Sequence, residues 1–141
     1  MSIPKHYIPN ILSARDRKTQ RRNINYTRKQ YKRKKYINRP KLKSFRSKPS
    51  PHITRAKRKY KVDRIVPSKA LAKATKCSIK GLRQITRKGR GAYFSSGSRP
   101  NQTAQSWARA RLASAITHGK AAKVDRHILE KECQPDSPAL G

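Results

Sequence analysis

The sequence predicts a mostly α-helical protein: a small three to four helix domain, helix-turn-helix-like pair included, preceded by a long extended basic arm. Three observations predict it. Charge steps down near residue 62, apolar residues return at helical spacing from Asp63 onward, and helix start and stop signals separate those runs. Of 141 residues, 38 are Lys or Arg and 6 are Asp or Glu, a formal net charge of +32. Residues 1–61 hold 22 of the cations with one acid, Asp16, whereas residues 62–141 hold 16 with five. The expected division is arm 1–62, domain 63–132 and tail 133–141. Hydrophobic residues make up 33% of the chain. That is too little to offset a backbone ordering entropy of about 1 to 2 kcal/mol for every residue, so only part of the chain is expected to form a core.

Pro4, Pro9, Pro40, Pro49 and Pro51 punctuate the arm, each removing a backbone donor and discouraging helix before it. A short helix around residues 12–36 suits the propensities of Lys, Arg and Gln. Like charges at i and i+4 oppose it without counterions, so it is expected only on binding. Tyr26, Tyr31 and Tyr36 recur every five residues, matching neither the helical nor the strand period. Alternating with cations, they suit an arm whose charges meet phosphates while rings stack on bases or partner side chains; a solvated low-complexity tail with incidental tyrosines is the alternative.

From Asp63 the text changes. Ser68 reads as the N-cap of a first helix that carries Leu71, Ala72 and Thr75 through about Lys76. Ser78 caps a second, striped by Ile79, Leu82 and Ile85 and ending at residues 86–88 with Gly89 in the C-terminal glycine position. Residues 89–102 read as an ordered loop. A third helix is expected from Thr103 to Thr117, with Ala104, Ala108, Leu112, Ala115 and Ile116 inward, Trp107 at its edge and Gly119 as terminator. A fourth, from Lys120 to Lys131, would turn Ala121, Val124, Ile128 and Leu129 inward, leaving a frayed or partner-bound tail.

Residues 71–89 have a helix-turn-helix layout in which Lys80, Arg83, Gln84 and Arg87 would face phosphates or bases, although Lys76 stands where the turn glycine is usual. A packed helix pair with a basic surface is the alternative. The run KGRGAYFSSGSRPNQT (residues 88–103) places Arg87, Lys88, Arg90, Ser98 and Arg99 before a helix N-terminus, where an anion could be cradled. Equally, Ser and Asn there would serve the backbone of the turn itself. No Walker pattern closes.

Cys77 and Cys133 lie 56 positions apart with no CxxC and no His at ligand spacing, so neither a zinc site nor a disulfide framework is expected, and a reducing compartment is the default. Between Asp63 and Asp125 there is no acid, and His6, His52, His118 and His127 are scattered. No catalytic residue, metal or cofactor is indicated, and the expectation is not an enzyme. No run approaches the roughly 20 apolar residues of a membrane span and none follows the start as a secretory signal would, so a soluble chain is expected. The candidate binding cations are Arg28, Lys29, Lys32, Arg33, Lys34, Lys35, Arg39, Lys41, Lys43, Arg46, Lys48, Arg55, Lys57, Arg58, Lys59, Arg83, Arg87, Lys88, Arg90 and Arg99. The candidate aromatic anchors are Tyr26, Tyr31, Tyr36, Phe45 and Trp107.

The strings SSGSRPNQT and SWARARLAS, within KGRGAYFSSGSRPNQTAQSWARARLASAITHGKAAKVDRHIL (residues 88–129), resemble the signature of an uncharacterised family of small basic proteins of large DNA viruses of algae and amoebae. KLKSFRSKPSPHITRAKRKY (residues 41–60) resembles that family's basic segment. The resemblance implies viral origin and brings no known reaction. The expected function is then a virion structural protein: a minor capsid protein on the inner side of the shell, held in a large assembly. Its partners would be capsid or other virion proteins and DNA, in the virion and, during assembly, in host cytoplasm or nucleus. A nucleic-acid-binding protein that packages DNA or regulates it through the helix pair is the alternative, and a ribosomal-type RNA-scaffold protein is third.

Overall fold

Three of the helices start where a serine hydroxyl turns back on the first free amides. Ser13 Oγ accepts from Asp16 N at 3.1 Å, Ser68 Oγ from Leu71 N at 3.2 Å and Ser78 Oγ from Gly81 N at 3.0 Å. The computed structural model describes residues 2–141. Among them are a 3-10 turn at Lys5–Tyr7 and seven α-helices: α1 (Ala14–Lys32), α2 (Pro51–Tyr60), α3 (Lys69–Thr75), α4 (Ile79–Ser95), α5 (Ala104–Ile116), α6 (Lys120–Val124) and α7 (Arg126–Glu132). The protein is mostly helical, as expected. None of these helices is long and apolar enough to cross a membrane.

Several helices close on a side-chain-bearing residue where glycine is usual. Lys34, Lys61, Lys76 and His118 all have positive φ, between 53° and 62°. After α1, Lys34 N donates to Tyr31 O and Lys35 N to Gln30 O, both at 2.9 Å, the paired closure of a helix C-terminus. A lysine there also faces the negative end of the helix dipole, which offsets part of the cost of a left-handed side-chain-bearing residue.

The chain divides into two compact units, one holding the residues through Lys48 with Arg90–Trp107, the other Pro49–Gly89 with Ala108–Gly141. The passages at 89/90 and 107/108 fall inside α4 and α5. This is not a division at the charge step near residue 62. Where an extended arm was expected, α1 covers 19 residues and α2 another 10. Both have an inward stripe at helical spacing: Gln20, Ile24 and Thr27 in α1, Ala56 and Tyr60 in α2. In α1 two of the three inward residues are polar, so an apolar pattern does not reveal it.

In the second unit Leu71, Leu82, Ile85, Leu112, Ile116 and Leu129 are buried together, with Ala56 and Tyr60 of α2 among them. Tyr60 is thus a core residue: its hydroxyl donates to Ile116 O, and burial pushes its phenol up to about 12. Gly89 is not a helix terminator, since α4 runs on to Ser95. A Cβ at Gly89 would stand 2.8 Å from Ala108 Cα, so glycine is needed there for close helix approach. The expected fourth helix is broken in two by Asp125, which is fully buried, while Val124 is 60% exposed rather than inward. Arg111 donates to both Asp125 oxygens, Nε at 3.0 Å and Nη2 at 2.8 Å, and Lys88 Nζ lies 3.2 Å from Oδ1. Burial works to raise the Asp125 pKa, but the Arg111 and Lys88 contacts outweigh it and hold the carboxyl below its ordinary value.

Nor is the tail frayed. Cys133 is joined to Cys77 in a disulfide, where the sequence indicated none. On either side of the bridge Ser78 N donates to Glu132 O at 2.8 Å and Gln134 N to Lys76 O at 2.9 Å, so the α3–α4 turn and the end of α7 are stitched as a minimal antiparallel pair. A 56-residue separation hides such a pairing, because nothing local in the sequence marks it. Ser137 and Ala139 are buried beyond it, with Ser137 Oγ donating to Thr75 O.

Two predictions arise here. Replacing both cysteines (Cys77→Ser with Cys133→Ser) should lower stability by about 2 to 4 kcal/mol, read as a reduced urea midpoint; an undiminished midpoint would mean the thiols are not joined. Because the Asp125 pKa is depressed on folding, its contribution is complete above about pH 4 and lost as pH falls through the folded value. Asp125→Asn should therefore cost about 3 kcal/mol at neutral pH, the low end for a broken buried pair because Lys88 is 40% exposed, and should flatten the acid limb of the stability curve. An acid limb as steep as the parent's would refute that assignment.

Candidate polyanion-binding face

The first unit holds 19 Lys and Arg against the single acid Asp16, so its cations cannot be paired by carboxylates within it. Asp16 itself is committed to structure: Ser44 donates to its Oδ2 through both amide and hydroxyl, and Ser13 N donates back to Ser44 Oγ at 3.1 Å. The Ser44 hydroxyl, then its amide, hold the Asp16 carboxyl below its ordinary value. The carboxylate also sits in the first turn of α1, where the helix dipole favours it.

Two of the arginines are absorbed inside the unit by neutral partners. Arg39 is 8% exposed, with its guanidinium 3.8 Å above the centre of the Tyr93 ring. Its Nη1 donates to Tyr93 O at 3.0 Å, its Nη2 to Ser98 Oγ at 2.8 Å, and its backbone N to Tyr93 Oη at 2.7 Å. Burial pulls its pKa down, opposed by Tyr93. Arg28 Nε donates to Ser96 O at 2.9 Å. Both residues were candidates for external contact; both serve the unit's own backbone.

The predicted anion cradle at residues 88–103 is likewise filled from within. Arg87, Lys88 and Arg90 stand on α4 rather than in a loop, and Ser98 is buried. At the start of α5, Thr103 and Ser106 exchange bonds between amide and hydroxyl at 2.9 and 3.0 Å, and Ala104 N donates to Asn38 Oδ1 at 3.0 Å. The amides of Thr103, Ala104 and Ser106 are thus engaged within the unit, in keeping with the turn-serving alternative.

What the unit leaves outside is the outer face of α1. With 100° per residue, Lys18, Arg21, Arg22, Lys29 and Lys32 fall within about 100° of arc, on the side of the helix away from Gln20, Ile24 and Thr27. All five are exposed, and no ion pair among the described residues engages them. Asn25 lies among them and Tyr26, 52% exposed, lies at their edge. Lys18, Arg21 and Arg22 were not among the candidate residues. Their spacing against the polar inward stripe was the available signal.

The remaining candidates are dispersed. In the same unit Arg33, Lys34, Lys35, Lys41, Lys43, Arg46, Lys48 and Arg99 are exposed and Arg90 half-buried. Arg55, Lys57, Arg58 and Lys59 of α2 and Arg83 and Arg87 of α4 are exposed on the second unit, and Lys88 is ion-paired there. Of the aromatic candidates, Tyr31 and Tyr36 pack with Phe94, Trp107 stands edge-on to Tyr7 with ring centres 5.7 Å apart, and Phe45 is half-buried.

A profile described as Family of unknown function (DUF5824) matches residues 4–134. The chain belongs to that family. The match takes in α1 and all the other helices of both units, so the cationic face lies within the family's shared region. No curated protein and no solved structure matches the chain.

Proposed function

We propose that this chain is a non-enzymatic nucleic-acid-binding protein that holds the phosphate backbone on the outer face of α1. One observation carries this: five exposed cations share one face of a single helix in a unit whose only carboxylate is already bonded to Ser44. Lys18 to Lys32 span about 21 Å at 1.5 Å per residue, the length over which one strand of a duplex presents about six phosphates. Arg supplies forked donors and Lys mobile point charges; neither reads base sequence from such a face, so affinity without strong sequence preference is expected.

The resemblance of residues 88–129 to proteins of large DNA viruses supports a setting for this activity, a minor capsid protein on the inner side of the shell where genome and capsid proteins both lie within reach. On the second unit, Arg83 and Arg87 of α4 are exposed.

Five phosphate contacts predict a slope of log K against log salt of about −4 to −5 on B-DNA. Changing Lys18, Arg21, Arg22, Lys29 and Lys32 to Gln should flatten it to about −1 or less, whereas Gln at Arg55, Lys57, Arg58 and Lys59 of α2 should leave it near the parent value. Equal losses from the two sets, or a flat parent slope, would remove α1 from the function. The setting is tested separately: quantitative mass spectrometry of purified virus particles should find the chain in amounts comparable with other minor capsid proteins, and its absence would discard the particle while leaving the binding.

A further inference from the structure

Tyr26 and Tyr31 are five residues apart, which puts them about 140° apart around α1, so they do not share a surface. Tyr31 turns toward Phe94 near the end of α4, the two rings almost parallel at 9° with centres 6.4 Å apart. Beyond the Lys34 closure the chain brings Tyr36 against both, with centres 5.8 Å from Tyr31 and 5.4 Å from Phe94. Phe94 in turn stands edge-on to the buried Tyr93 at 5.2 Å. Tyr36 is therefore positioned by two rings, one of them anchored on the core, yet it stays 63% exposed; Tyr31 is 36% exposed. No hydrogen bond among the described residues engages the Tyr36 hydroxyl. An aromatic serving only to fill space would turn inward, and one serving only solubility would need no ring neighbours.

Charge says what the open side receives. Lys32, Arg33, Lys34 and Lys35 run directly up to Tyr36 in sequence and are all exposed, and Lys32 is the last cation of the α1 row. An apolar peptide would satisfy the rings and leave these cations unanswered; a strand of phosphates carrying flat bases satisfies both. We infer that Tyr36, backed by Tyr31 and Phe94, is a stacking site for an unpaired base of single-stranded nucleic acid whose phosphates run along Lys32 and the α1 face. This rests on α1 being the phosphate-binding face. It adds a preference for open strands over duplexes, since a paired base shows no free face to the ring.

The experiment uses the full chain and three probes of equal length: a 15-nucleotide oligothymidylate, the same phosphate backbone with abasic sugars, and a duplex. The oligothymidylate should bind roughly five- to 100-fold tighter than the abasic strand, the range for stacking one base on an aromatic side chain. Tyr36→Ala should close that gap and Tyr36→Trp should keep it. Equal affinity of the parent for oligothymidylate and the abasic strand would overturn the stacking site while leaving phosphate binding intact. A gap that survives in Tyr36→Ala would overturn its assignment to this ring, and no binding to any probe would overturn both readings. Because the parent's comparison needs no variant, a Tyr36 substitution that disturbed the packing of Tyr31 and Phe94 would not blur the outcome.

Discussion

Scarcity of acid is the constraint on which the rest of this structure depends. Of 38 Lys and Arg, only Lys76, Lys88, Arg111 and Arg126 form ion pairs among the described residues. The fold must therefore stand without charge pairing for nearly every cation it contains. It does so in two ways: it turns most cations outward, where solvent and salt screen them, and it surrounds those it cannot turn outward with oxygen atoms and ring faces that carry no net charge. Asp125 is the exception that shows the cost of the alternative. The one buried carboxylate there is held below its ordinary pKa, against its burial, by Arg111 and Lys88.

Tyr93 is where the second solution is concentrated. Its hydroxyl accepts from Arg39 N and donates to Gln102 O at 3.2 Å, its carbonyl accepts from Arg39 Nη1, and its ring receives the guanidinium. Arg39 and Gln102, far apart in sequence, are thereby joined through one residue. Gln20 does similar work from α1, its amide donating to Tyr7 O at 3.1 Å and Ser98 O at 3.4 Å. The first unit is thus specified by buried polar geometry as much as by apolar area. Such networks leave little latitude, because each buried group that loses its partner keeps its full desolvation penalty.

That dependence explains what could be read from the sequence. The second unit announces itself: Ser68 and Ser78 cap the helices they were expected to cap, Leu82 and Ile85 are buried as their spacing requires, and Ala108, Leu112, Ala115 and Ile116 line α5. Where the partner is distant or polar, local pattern fails. Residues 1–62 read as an extended arm partly because Gln20 and Thr27 do not look like core, and Gln20 finds its partners as far off as Tyr7 and Ser98. Gly89 and Gly91 read as loop although helix passes through them, since close packing and turning ask for the same residue. Among the candidate cations the sequence does not distinguish roles: Arg39 and an exposed lysine differ only in what the fold brings to them.

The width of the cationic face and the difficulty of reading α1 have one cause. A helix that buries only a narrow stripe leaves most of its circumference to solvent, and here that remainder is filled with like charges at i, i+3 and i+4 spacing, each close pair unfavourable by a few tenths of a kcal/mol. The helix is held by its Ser13 cap, by Asp16 in its first turn and by its inward contacts, against a repulsion that a polyanion would abolish. Phosphates laid on this face would neutralise charge only when the helix is formed, so they would favour the folded unit by mass action, and a stable fold would in turn present the cations already aligned. The same lysines and arginines that weaken the free helix are therefore the ones whose neutralisation would return the most stability, which would place folding and binding of this unit in a single equilibrium.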